Sequence, residues 1–197
     1  MPGKVAFLDH IMMGWFSRRM LQLLGWKVRG DEPLRALDQF VVAIGPHTSN
    51  WDFPLGILVR WATGLEKIHF IGKASLFRPP FGWLFRVLGG YPVERSASLQ
   101  QVERYAALFR EKREFAIVIA PEGTRKRVAR LKSGYYHIAR MAGVPIVPAT
   151  IDYPSRTVHF HQAFMPGEKP EEDMAIVEEY ISSAKGKYPE LAFRRSS

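Results

Sequence analysis

His47 and Asp52 sit five positions apart in the run Pro46, His47, Thr48, Ser49, Asn50, Trp51, Asp52, so a candidate base has a carboxylate close in sequence. A carboxylate that holds one imidazole nitrogen fixes the tautomer and leaves the other nitrogen to take a proton from a hydroxyl. About seventy residues later come Pro121, Glu122, Gly123, Thr124 and Arg125. Gly123 permits a backbone conformation closed to other residues, and the guanidinium of Arg125 has the planar fork that grips phosphate oxygens in pairs. Together the two runs suggest proton abstraction beside an anion site. Each also has an ordinary reading, His47 as a loop residue and Asp52 as an acidic side chain favoured in the first turn of a helix.

The spacing dictates the elements that must position these groups. On a continuous helix, residues five apart point about 140° away from each other and cannot meet. The pair can meet if His47 instead sits in a loop after a strand over Phe40–Ile44, with Ser49 or Asn50 capping a helix that begins near Trp51, so that Asp52 reaches back from its first turn. Phe115–Ala120 reads as a buried strand, which puts residues 122–125 at a strand's carboxyl end, where ligands of open α/β sheets gather. Branched and apolar runs at Ile68–Ile71, Ile146–Ile151 and Thr157–His161 read as further strands. A helix is predicted over residues 98–112, from the capping-box spacing of Ser98 and Gln101 and the stripe Leu99, Val102, Ala106, Phe109. Another follows Pro170, with Met174, Val177, Ile181 and Ala184 facing inward. This alternation argues for an α/β fold, a single layered domain with a mixed, mostly parallel sheet flanked by helices. Gly89 and Gly90 suggest a tight turn near a ligand, leaving Lys73 and Arg95 as further anion contacts.

Composition bounds the chemistry. The 197 residues contain no cysteine, which excludes a disulfide framework, a thiolate nucleophile and cysteine-ligated metal. The net charge of +9 points to an anionic partner. No nucleic-acid motif accompanies that charge, and no nucleic acid is expected as a partner. Lys126, Arg127, Arg130 and Lys132 follow Arg125 with no acid among them and read as a solvated face. His159 and His161 share a strand face and read as polar packing rather than metal ligands.

Residues 1–30 form an N-terminal amphipathic segment ahead of a domain over 31–197. Within it, Met12, Met13, Trp15, Phe16, Met20, Leu23, Leu24 and Trp26 share one broad helical face, with Gly14, Ser17, Arg18 and Gln22 opposite. Such a helix suits either a bilayer interface with anionic headgroups or packing on the core. Charged residues interrupt every apolar run before it reaches membrane-spanning length, and no cleavable leader is evident, so the expected location is cytoplasmic, peripheral at the membrane's cytoplasmic face.

Four segments in order resemble the glycerolipid acyltransferases of the lysophosphatidic acid acyltransferase type: His47–Asp52 (HxSxxD), Gly72–Arg95, Pro121–Arg125 (PEGTR) and Gly143–Ala149 (GVPIVPA). The resemblance implies that His47 deprotonates the acceptor hydroxyl with Asp52 orienting it, and that Arg95, Glu122, Gly123, Thr124 and Arg125, with Lys73 nearby, form the acceptor site. It further implies transfer of an acyl group from a thioester, acyl-CoA or acyl carrier protein, to a lysophospholipid, most simply 1-acyl-glycerol 3-phosphate, without metal or cofactor. Trp51, Phe53, Phe81 and Trp83 are candidates for the border of an acyl channel or, individually, for core packing. Ser75, Pro46 and Lys126 stand where many members have Glu, Asn and Ser, departures that bear on the acceptor.

Overall fold

Phe40, Val41, Val42 and Ala43 are apolar without alternation, the pattern of a parallel strand covered on both faces. All four are buried in β2 (Gln39–Gly45), the middle of a seven-stranded sheet in the order β1-β7-β6-β2-β5-β3-β4. The other strands are β1 (Lys27–Arg29), β3 (Ile68–Lys73), β4 (Gly90–Val93), β5 (Phe115–Ile119), β6 (Ile146–Asp152) and β7 (Thr157–Phe160). Neighbours run parallel except β6 and β7, so the sheet is mixed and mostly parallel, as the sequence pattern predicts. In this computed structural model the described residues are 2–93 and 99–195, without the side chains of 2–11, 93 and 99. Arg95 and Ser98 lie outside them, and with them one expected anion contact and the expected cap of the 98–112 helix.

Side-chain alternation along β2 splits the interior into two cores. Val41 and Ala43 pack with Phe115, Ile117 and Ile146 under α4 (Leu99–Glu111), α5 (Gly134–Ala142) and α6 (Pro170–Ser183). Phe40 and Val42 pack on the opposite face with Ala116, Val147 and Ala149. There Leu55 and Val59 of α2 (Asp52–Thr63) and Leu21 of α1 (Pro2–Leu23) complete the layer. A short helix, α3 (Gly82–Val87), follows β3 and meets α2 through Phe85 and Phe53, whose ring centroids are 5.9 Å apart.

The five expected strands are all present, whereas β1 and β4 are additional. β1 has only three residues with two of them exposed, and β4 opens on a glycine, so neither displays a run of branched residues. Gly90 departs from its expected role. It lies within β4, where a Cβ would fall 2.5 Å from the Phe70 ring and 2.8 Å from that of Phe77, so the missing side chain makes room for aromatic packing rather than for a ligand. The residues proposed for an acyl channel or the core also resolve differently. Phe53 packs on Phe70, while Trp51, Phe81 and Trp83 are exposed.

The N-terminal helix inverts the simplest amphipathic expectation. Its small and polar side packs on α2: Ser17 is fully buried, a Cβ on Gly14 would lie 3.1 Å from the Trp61 carbonyl, and Arg18 donates to the Ala62 carbonyl at 3.1 Å. Leu21, absent from the apolar face drawn from sequence, is buried on this packed side. Met12, Trp15, Phe16 and Leu23 remain exposed, Leu23 at 81%. Among the described residues no helix is long and apolar enough to cross a membrane.

α6 is pinned to the sheet by Val177 and Ile181, both fully buried, and the methyls of Ile181 lie 2.9 Å from where a Cβ on Gly45 would sit. Truncation there opens a cavity directly behind the end of β2. Ile181→Ala is expected to lower unfolding free energy by about 2–5 kcal/mol, measured by urea denaturation; a loss within error would show that α6 does not bear on the core.

Candidate active site

The sheet register brings the two chemical runs together. Pairing of Ala43 with Ile119 sets the carboxyl ends of β2 and β5 side by side, and pairing of Phe70 with Val118 adds the end of β3. The segments that leave these three adjacent strands carry His47, Glu122–Arg125 and Lys73. β2 ends at Gly45, and α2 starts only at Asp52, so His47 lies in the intervening loop.

The contact inferred from spacing is present: His47 Nδ1 and Asp52 Oδ2 are 2.9 Å apart. Asp52 Oδ2 also accepts the backbone N–H groups of Thr48 at 3.0 Å and Ser49 at 2.9 Å, and Oδ1 accepts the Tyr153 hydroxyl at 2.7 Å. An acceptor-only carboxylate places the imidazole proton on Nδ1 and leaves Nε2 available to a hydroxyl. The Asp52 side chain is 3% exposed and that of His47 24%, so the carboxylate is sealed while the imidazole reaches solvent. The start of α2 is built differently from expectation. Its N-cap is Trp51, without a side-chain cap, and Ser49 Oγ instead accepts the Trp51 N–H at 3.1 Å within the loop. Asp52 reaches back over that loop and accepts loop N–H groups rather than those of the helix's first turn.

Glu122 lies beneath the histidine loop. It is 1% exposed, and its two oxygens accept the backbone N–H groups of His47 and, at 3.1 Å, Phe193. The carboxylate therefore ties the histidine loop to the C-terminal segment from beneath. Gly123 does adopt the left-handed conformation, with φ of +65°, and a Cβ there would fall 2.9 Å from the Lys132 ammonium. That turn sends Thr124 and Arg125 outward.

These groups open into a groove of about 1310 Å³. His47, Lys73, Gly123, Thr124 and Arg125 line it, together with Lys132, His137 and Arg140. Ile71, Val102, Ile119, Leu131, Ile138 and Met141 supply apolar wall, and among the described residues no carboxylate side chain lines the groove. Among the described residues neither Lys73 nor Arg125 makes an ion pair. The run after Arg125 thus divides: Lys126, Arg127 and Arg130 are exposed, whereas Lys132 turns into the groove. Lys132 reads from sequence as part of a solvated face, whereas His137 and Arg140 were not singled out. Their signal was the buried stripe Tyr135, Tyr136, Ile138 and Ala139, which defines a helix whose opposite side they occupy. His161 stays outside, bonded through Nε2 to Thr150 Oγ1 at 3.0 Å and stacked on Tyr180.

Burial pushes the Glu122 carboxyl above its ordinary pKa of 4.5, and the N–H groups of His47 and Phe193 hold it partly back. A carboxyl raised in the folded state binds more protons folded than unfolded. Its stability contribution is then complete below 4.5 and is lost as pH rises through the folded value. Glu122→Gln removes that slope, so the stability difference between wild type and variant should shift in the variant's favour as pH rises from 4.5 towards neutrality. Urea titrations across that range test it, and a pH-independent difference would mean that Glu122 does not titrate there.

The sequence model of the family described as Acyltransferase matches residues 25–152. A 1-acyl-sn-glycerol-3-phosphate acyltransferase of Salmonella typhimurium is 30% identical over 168 residues, covering 82% of this chain and 65% of that protein. One of Streptococcus pneumoniae is 27% identical, covering 71% of this chain and 54% of that protein. The chain thus spans between about half and two thirds of the length of these relatives. In fold it is similar to the crystal structure of the 1-acyl-sn-glycerophosphate acyltransferase from Thermotoga maritima, with a TM-score of 0.66 at 21% identity, covering 92% of this chain and 80% of that one.

Proposed function

We propose that this chain, which belongs to the acyltransferase family, transfers a fatty acyl group from a thioester to the hydroxyl of a lysophospholipid, with 1-acyl-glycerol 3-phosphate as the acceptor. The observation that carries the reading is the groove: among the described residues the imidazole bonded to Asp52 meets four basic side chains, Lys73, Arg125, Lys132 and Arg140, and an apolar wall, with no carboxylate in the lining. An acceptor with a phosphate and an acyl chain matches both features. The names of the curated relatives support the same acceptor.

In this scheme His47 Nε2 takes the hydroxyl proton as the oxygen attacks the thioester carbonyl. The new C–O bond forms, the C–S bond breaks, and the imidazolium returns its proton to the departing thiolate. Asp52 holds the ring in the required tautomer. Arg125 and Lys73 bind the acceptor phosphate, so binding energy far from the reacting atoms orients the hydroxyl. Thr124 and Gly123 border that phosphate site, and the donor is an acyl chain on coenzyme A or on acyl carrier protein. The scheme uses no metal or cofactor.

The experiment is incubation of purified protein with long-chain acyl-CoA and lysophosphatidic acid, following thioester loss and diacyl product by mass spectrometry. His47→Ala is expected to reduce turnover by about 10²- to 10⁴-fold while remaining folded. Near wild-type turnover in the variant would refute the general base, and product only from another acceptor, such as glycerol 3-phosphate, would overturn the assignment of the acceptor.

The same reading includes attachment to an anionic membrane surface. The apolar side of α1 is exposed, and on α3 Trp83 and Val87 are exposed together with Arg86, with α2 packed between the two helices. Apolar side chains beside cations suit the interface of an anionic bilayer, and +9 adds long-range attraction. Trp15→Glu with Phe16→Glu removes two such contacts, each worth about 1.5–3 kcal/mol if fully buried. Co-sedimentation with phosphatidylglycerol vesicles is expected to fall at least about tenfold; unchanged partition would exclude α1 from the membrane contact.

A further inference from the structure

Tyr153 follows β6 immediately, one residue beyond the span matched by the family model, and its hydroxyl donates to Asp52 Oδ1 across 101 positions of sequence. We propose that Tyr153 is a positioning residue of the acyl transfer, fixing the Asp52 carboxylate and through it the ring of His47. The inference rests on the general-base reading of His47. The physical argument is one of occupancy. Three donors converge on Oδ2, while among the described residues Tyr153 is the donor to Oδ1. Without it a buried oxygen is left unpaired and the carboxylate is held through Oδ2 alone.

Tyr153 is itself held firmly enough to act this way. Its backbone N–H donates to the Lys185 carbonyl at 2.9 Å, and its carbonyl accepts the Arg156 N–H at 3.1 Å. Its ring meets Trp26 edge-on with centroids 5.1 Å apart. The neighbouring Asp152 closes the same junction from the other side, accepting the N–H groups of Lys185 at 2.9 Å and Ser155 at 3.0 Å. Burial and the nearby Asp52 push the phenol pKa up, which keeps the proton on oxygen and the group a donor. The link runs from the β6–β7 turn to the reacting imidazole without touching the groove, which Tyr153 does not line.

Tyr153→Phe keeps the ring against Trp26 and deletes only the hydroxyl. With acyl-CoA and lysophosphatidic acid, kcat is expected to fall about 10- to 100-fold, the range for loss of a hydrogen bond to a charged group, with KM for both substrates unchanged. In an Asp52→Ala background the same substitution should have no further effect. An unchanged kcat, a loss carried by KM, or full additivity with Asp52→Ala would each overturn the proposal. A second readout needs no turnover: the low-field Nδ1–H proton resonance of His47, assigned by its disappearance in His47→Gln, should move or broaden in Tyr153→Phe. A resonance identical to wild type overturns the positioning role even where His47→Ala has already refuted the base, so the two failures are separable.

Discussion

Asp52 is a buried carboxylate on which four separate pieces of backbone and side chain depend. A polar group taken out of water must find partners inside the protein, and a charge needs them most. Here the partners are the imidazole of His47, the N–H groups of Thr48 and Ser49, and the hydroxyl of Tyr153. Each has its own structural consequence. The two N–H bonds fold the loop after β2 back over the start of α2, the imidazole bond orients a ring that is partly open to solvent, and the phenol ties both to the end of β6. The helix start favours the arrangement, since its positive end faces a negative side chain in the first turn.

The parallel sheet turns this local arrangement into a site. Three adjacent parallel strands end at one edge, so loops distant in sequence must emerge together, and the covering helices leave a trench between them. Its electrostatics follow from what lines it. Lys73 comes from β3, Arg125 from the loop after β5, Lys132 from the approach to α5, and Arg140 from α5 itself. With no carboxylate side chain among the described residues of the trench, the positive potentials of these cations add.

Much of this was legible in the residues. The five-residue gap between His47 and Asp52 excludes a straight helix, and with the apolar run Phe40–Ile44 before it and Ser49 and Asn50 as cap candidates it points to a strand, a loop and a helix start in that order. Phe115–Ile119, with no alternation, announces a strand buried on both sides and so fixes where Gly123 and Arg125 emerge. What escaped the sequence are relations between distant segments. Nothing in the composition around Glu122 distinguishes a carboxylate that faces a ligand from one that accepts two backbone N–H groups beneath a loop; only the position of Phe193, 71 residues away, decides it. Tyr153 was invisible for the same reason, since a lone tyrosine at a strand end carries no spacing to either Asp52 or Lys185. Gly90 illustrates a third case, in which a glycine pair that looks like a turn is one turn residue followed by a strand residue trimmed to fit two phenyl rings.

The C-terminal segment therefore belongs to the architecture of the site, although it lies beyond the family-matched span. Phe193 donates to Glu122, which in turn holds the His47 backbone; the Tyr188 N–H donates to Thr48 Oγ1 at 3.3 Å; and a Cβ on Gly186 would fall 2.5 Å from that same oxygen. Lys185, at the head of the segment, pairs with both Asp152 and Tyr153. The loop bearing the candidate base is thus clamped from two directions, by Asp52 on the side of the imidazole and by this strap on the side of the backbone. A histidine on a loop gives up little precision under such constraint, because the entropy of ordering its backbone is already met by contacts that the groove does not need for substrate.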